Sequence, residues 1–180
     1  MSEEDRAKDQ AKSQLESIRE MLAAVSVDYD RLEELKEELT DAHEAEGNPT
    51  PFDGWLKEMV ENEDGTLQEA AQELNDLNAA AGDCASEDDA RQRIQEDPLS
   101  VQVRTGWYTP GTENPEAEEF EILLCTGGPA VRIVGRLDMH GGPDDARLEY
   151  QDWGTPWRDY YEPGIGETLL EYARHFWFGE

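Results

Sequence analysis

Apolar residues keep helical spacing through the first half of this chain and strand spacing after Pro98, and that single switch of period dictates an α+β protein. From Ala7 the apolar positions run Ala11, Leu15, Ile18, Leu22, Val25, Tyr29, Leu32, Leu35 and Leu39, three and four apart, a coiled-coil-like stripe on one helical face. Val25-Ser26-Val27-Asp28 lowers helix propensity through β-branched and capping residues, so the stripe reads as two helices meeting near Ser26. Gly47-Asn48-Pro49-Thr50-Pro51 ends it. A second helical segment carries Trp55, Leu56, Met59 and Val60, is interrupted at Asp64-Gly65, and resumes with Leu67, Ala70, Ala71, Leu74 and Leu77. Two amphipathic segments around a Pro/Gly loop predict an antiparallel, coiled-coil-like helical hairpin over residues 1–82.

The remainder, 83–180, predicts a four-strand antiparallel sheet with a C-terminal helix. Ser86 ahead of Glu87-Asp88-Asp89 is an N-cap signal for a short helix through Ile94. Val101, Val103 and Trp107 then alternate with polar residues, followed by Phe120, Ile122 and Leu124, by Val131, Ile133 and Val134, and by Leu148 and Tyr150. Gly/Pro clusters separate these runs. In the tail, Leu169, Leu170, Tyr172, Ala173 and Phe176 form a helical apolar face that can cover one side of the sheet.

Charge is the other constraint. The chain holds 44 Asp and Glu against 15 Lys and Arg, a net charge of −29 over 180 residues. Residues 1–97 carry 29 acids and 9 bases, residues 98–180 carry 15 and 6. Disorder fits poorly with 37% hydrophobic residues, five Trp, six Tyr and four Phe, and adaptation to salt would spread the acids evenly. Such a field repels nucleic acid and anionic membranes and suits a cationic partner, above all a cleft built to hold nucleic-acid phosphates. The residues expected to meet it are Glu16, Glu20, Asp30, Glu33, Glu34, Glu37, Glu38, Asp41 and Glu44 on the first arm, and Glu58, Glu61, Glu63, Asp64, Glu69, Glu73 and Asp76 on the second. The competing reading of each carboxylate is a solvated helix face. A continuous helix from Glu3 to Glu44 would be ~63 Å long at 1.5 Å per residue and carry 14 carboxylates. Duplex DNA of that length carries about 37 phosphates. One arm thus imitates part of a duplex, and a hairpin or a homodimer through the uncovered Ala7, Ala11 and Leu15 comes closer.

The sequence RTGWYTPG, the run FEILLCTGGPAVRIVGRLD, ARLEYQDWGTPW and the terminal LLEYARHFWFGE resemble a recurring group of small phage and mobile-element proteins over roughly residues 84–180. The resemblance brings no catalytic residue. By association it implies an inhibitor of host defence, an anti-CRISPR or antirestriction protein acting as an acidic DNA mimic on a basic nucleic-acid-binding enzyme. The alternative is a non-catalytic dimeric adaptor binding a protein through its aromatic segment, with Trp153, Trp157 and Tyr161 as anchors. More often such aromatics close a core where sheet meets helix. Stacking on single-stranded bases is disfavoured by Asp152, Asp159 and Glu162 beside them.

Enzyme chemistry lacks a motif. No Walker loop, dinucleotide fingerprint, nucleophile elbow or paired zinc-ligand pattern occurs, so no cofactor or metal is expected. Asn62-Glu63-Asp64-Gly65 lacks the spaced ligands of a calcium loop. His43, His140 and His175 lie far apart in sequence, and Cys125 reads as a small buried hydrophobe. MSEEDRAKDQ has neither a basic n-region nor an apolar stretch, and no run reaches the ~18 apolar residues of a membrane span. The expected location is the cytoplasm of a bacterial host, with the two cysteines reduced.

Overall fold

The computed structural model describes residues 3–61, 66–111 and 116–179. Five helices, α1 (Glu3–Val25), α2 (Tyr29–Glu46), α3 (Phe52–Glu61), α4 (Thr66–Ala81) and α5 (Glu87–Glu96), precede an antiparallel sheet and a last helix. The strands are β1 (Ser100–Arg104), β2 (Glu119–Cys125), β3 (Ala130–Arg136), β4 (Arg147–Gln151) and β5 (Arg158–Tyr160), paired in the order β1-β2-β3-β4-β5, and α6 spans Ile165–Ala173. The α+β class stands, but the N-terminal region is not a simple hairpin and the sheet has five strands, not four. The added strand lies inside the aromatic segment, where Arg158-Asp159-Tyr160 has no apolar alternation to announce it. Among the described residues no helix is long and apolar enough to cross a membrane.

The long stripe breaks where its propensity fails. Asp28 caps α2 by accepting the Arg31 N–H at 2.9 Å, and Gly47 closes that helix in the left-handed region at φ 61°. Ser86 caps α5, accepting the Asp89 N–H at 3.2 Å while the Asp89 carboxylate accepts from the Ala85 N–H.

Packing divides the chain into two compact units, one of Met1–Leu22 with Arg91–Glu180 and one of Ala23–Ala90. They are interleaved along the sequence, not consecutive. The second unit packs Leu32, Leu35 and Leu39 of α2 against Trp55 of α3 and Ala71 and Leu74 of α4, with Leu56, Met59, Leu67 and Leu77 partly buried around them. The Trp55 indole is 1% exposed and donates from Nε1 to Glu46 at 2.9 Å.

In the first unit, Ala7, Ala11, Leu15 and Ile18 of α1 are buried, and Arg19 of that helix pairs with Glu162 at 2.6 Å. The face on which the expected homodimer rested is therefore already covered within one chain. Leu56, Leu67 and Leu74 of α3 and α4 belong to the other unit. The sheet buries Ile122, Ile133 and Leu148 from its three central strands, with α6 against β4. Tyr172 of α6 donates to Asp97 at 2.5 Å, and burial first, then Asp97, pushes its phenol far up. Gly135 in β3 has a structural reason: a Cβ there would strike the Asp145 carbonyl and the Phe120 ring, which itself packs on Phe178 at 4.7 Å. On the opposite sheet face Arg132 pairs with Glu121 and Glu149 and lies 4.1 Å over the Trp157 ring, while Arg147 takes the other Glu149 oxygen at 3.0 Å.

Candidate partner-binding surface

The charge asymmetry seen along the sequence follows the packing. Residues 23–90 hold 21 Asp and Glu against three Lys and Arg, a net charge of −18 on 68 residues, and the rest of the chain carries −11. α2, α3 and α4 each give an apolar stripe to a shared core, and their carboxylates fall on the faces left outside it.

Asp30, Glu33, Glu34, Glu37, Glu38, Asp41 and Glu44 are all exposed on α2, opposite buried Leu32, Leu35 and Leu39. Glu58 and Glu61 are exposed on α3, and Glu69, Glu73 and Asp76 on α4. Glu16 and Glu20 are exposed too, but on α1 in the other unit. Glu63 and Asp64, with the calcium-loop-like stretch, lie outside the described residues. The predicted set thus gathers twelve described carboxylates of α2, α3 and α4 in one unit, with Glu16 and Glu20 apart.

Cations relieve this surface at few points. Arg31 reaches from α2 to α4 and grips Glu73 with two bonds of 3.0 and 2.9 Å, with Glu34 at 3.5 Å. The Arg31 hydrogen bond holds the Glu73 carboxyl below its ordinary range. Lys57 stands 4.0 Å from Glu61. Glu33, Glu37, Glu38, Asp41 and Glu44 pair with no described cation. Like charges three and four residues apart destabilise a helix by tenths of a kcal/mol each. A stability optimum would have removed some of them.

Sequence reasoning left out Glu46, Asp53, Asp83, Glu87, Asp88 and Asp89, which are exposed on the same unit. The charge count over 1–97 includes them; the predicted set omits them because it is drawn only from the faces opposite the two apolar stripes. The other candidate chemistry is structural. His43 donates from Nε2 to the Thr50 carbonyl, 2.8 Å away, and packs against the rings of Phe52 and Trp55. Among the described residues no three His, Cys, Asp or Glu converge as a metal site. Cys84 and Cys125 are free thiols, the latter raised by burial.

The aromatic segment splits between core and surface. Tyr150 is buried and Trp157 is half-buried under Arg132, whereas Trp153 is 80% and Tyr161 83% exposed. Trp107, expected inside a strand, lies beyond the end of β1 and is fully exposed. Comparison of the chain with protein-family models, with curated proteins and with solved structures finds no match.

Proposed function

We propose that the acidic unit of residues 23–90 is a phosphate mimic that occupies the nucleic-acid cleft of a basic protein. The narrower form of the proposal is a phage-type inhibitor of a host defence enzyme, a CRISPR effector or restriction system. The observation that carries the reading is the spacing of charge on α2. That helix is ~27 Å long at 1.5 Å per residue and bears eight carboxylates. One strand of B-DNA carries about eight phosphates over the same length, at one per ~3.4 Å. The match concerns a single strand; the carboxylates of α3 and α4 supply further negative charge in the same unit. Self-repulsion retained at a cost to helix stability argues for a role beyond solubility.

The test is capture on the immobilised chain from a bacterial lysate, followed by a DNA-binding assay of the captured protein. The wild-type chain should displace duplex DNA, and displacement should fall steeply with salt. Reversal of Glu33, Glu34, Glu37, Glu38 and Asp41 to Lys should abolish it. Displacement that survives the reversal defeats the mimic. A second reading, an adaptor anchored by its aromatic segment, is favoured by the exposure of Trp153 and Tyr161; under it, Trp153→Ala costs more capture than the five reversals.

A further inference from the structure

Five of the nine large apolar side chains exposed among the described residues fall in one ten-residue stretch: Leu99, Val101, Val103, Trp107 and Tyr108. Val101 lies opposite Ile122 and Val103 opposite Phe120, so both continue the rows of the core-facing side of the sheet. The rows stop there, because β1 is an edge strand. An edge presents a row of backbone N–H and C=O groups to any extended chain that approaches, and proteins blunt such edges with Lys, Pro, bulges or very short strands. β5, at the other edge, is three residues long and begins Arg158-Asp159. β1 has five residues in unbroken register, without Lys or Pro.

Two clefts flank the Arg104 end of β1. One, of about 740 Å³, is lined by Val103, Met139 and Phe178 with Glu116 and Asp138. The other, of about 780 Å³, is lined by Trp107, Tyr108, Pro110, Glu118 and Glu119. Arg104, shared by both, is taken up by Glu119. The backbone N–H groups of Gly142 and His140 bond the Asp138 carboxylate, and Glu116 and Glu118 pair with no described cation. The surplus charge at this end is negative. A second copy of this chain, net −29, is the wrong occupant for it.

We propose that the free edge of β1 accepts an extended segment of a partner protein as a sixth strand, one with apolar side chains at alternate positions and a basic residue where it meets the Arg104 end. Main-chain hydrogen bonds would hold the segment, its apolar side chains would extend the rows of Val101 and Val103, and the basic residue would meet Glu116, Glu118 and Asp138. This surface belongs to the unit of α1 and the sheet, so the proposal stands or falls apart from the acidic mimic.

The probe is a fluorescein-labelled heptapeptide, Lys-Val-Thr-Val-Thr-Val-Lys, titrated into the full ¹⁵N-labelled chain. We expect amide shifts centred on residues 100–104, at least tenfold weaker binding by Val103→Lys, and a similar loss when the two lysines become glutamates or when alternate peptide amides are N-methylated. Val101→Lys serves as a second variant, and both must keep the wild-type spectrum away from β1. Shifts confined to residues 23–90, or equal binding of the N-methylated peptide, overturn the proposal. So does a dimer in sedimentation that Val103→Lys dissolves, because the edge then belongs to a second copy.

Discussion

Trp55→Ala should all but unfold the acidic unit. Its indole is 1% exposed and packs on His43 at 5.2 Å and Phe52 at 5.9 Å. Truncation of a buried Trp to Ala costs ~3–5 kcal/mol through lost transfer energy and the cavity left behind. The lost bond to Glu46 adds little, since that carboxylate is exposed and returns to water. A unit of 68 residues has about 3–10 kcal/mol of stability at ~0.05–0.15 kcal/mol per residue, and self-repulsion at net −18 draws on it. A loss of ~4 kcal/mol lowers the midpoint by about 15–30 °C. Since α2, α3 and α4 hold about half of all helical residues, far-ultraviolet circular dichroism at 37 °C should lose about half its helical signal. Trp55→Phe, which keeps a ring, should lose far less. Full helicity in Trp55→Ala at that temperature would refute the assignment of this core to Trp55.

Three further outcomes follow from the geometry. Arg132→Met strands Glu149, whose residue exposure is 8%, beside Arg147 alone, and should cost ~2–4 kcal/mol in urea unfolding, with Glu149→Gln milder; equal, negligible losses would show the pair to be idle. Raising salt to about 0.5 M, where the Debye length is ~4 Å, should raise the midpoint of the wild-type chain by screening the carboxylates of α2, and should do so less in the fivefold reversal to Lys; a midpoint indifferent to salt would count against repulsion as a cost. His175 is held below its ordinary pKa by burial first and Arg91 second, so the unfolded chain takes up the proton earlier and stability is lost as pH falls below about 6.5. His175→Gln should therefore gain on the wild type as pH drops from neutral, and a difference independent of pH would contradict it.

What the sequence displayed was decided by local physics. The Ser26–Asp28 break, the Gly47 stop and the Ser86 cap each satisfy or fail backbone groups within a turn, and all were readable. The alternation of Phe120, Ile122 and Leu124 likewise located β2. Which stripe covers which is a long-range matter. Nothing in Ala7, Ala11 and Leu15 says that their unit includes residues after Arg91 and not α4, because any apolar face fits any other to first order. β5 was hidden because an edge strand that pairs on one side needs backbone more than side chains, and Arg158-Asp159-Tyr160 carries no period. On the candidate surface, exposure of the carboxylates followed from the stripe itself, whereas the Arg31 bridge to Glu73 spans 42 positions and could not be read from spacing within one helix.

The interleaving of the two units sets an order of events at the ribosome. α1 emerges first, yet its unit is completed only by residues after Arg91, and the Arg19–Glu162 pair joins positions 143 apart. At ~5–20 residues per second, about 7–30 s pass between synthesis of those two ends. During that interval residues 23–90 can close their own core from contacts within a single short stretch, while Leu15 and Ile18 wait without their partners. The nascent chain would then carry an apolar helix next to a folded, densely anionic body, and the anionic body would keep neighbouring nascent chains from meeting through that helix until the sheet arrives.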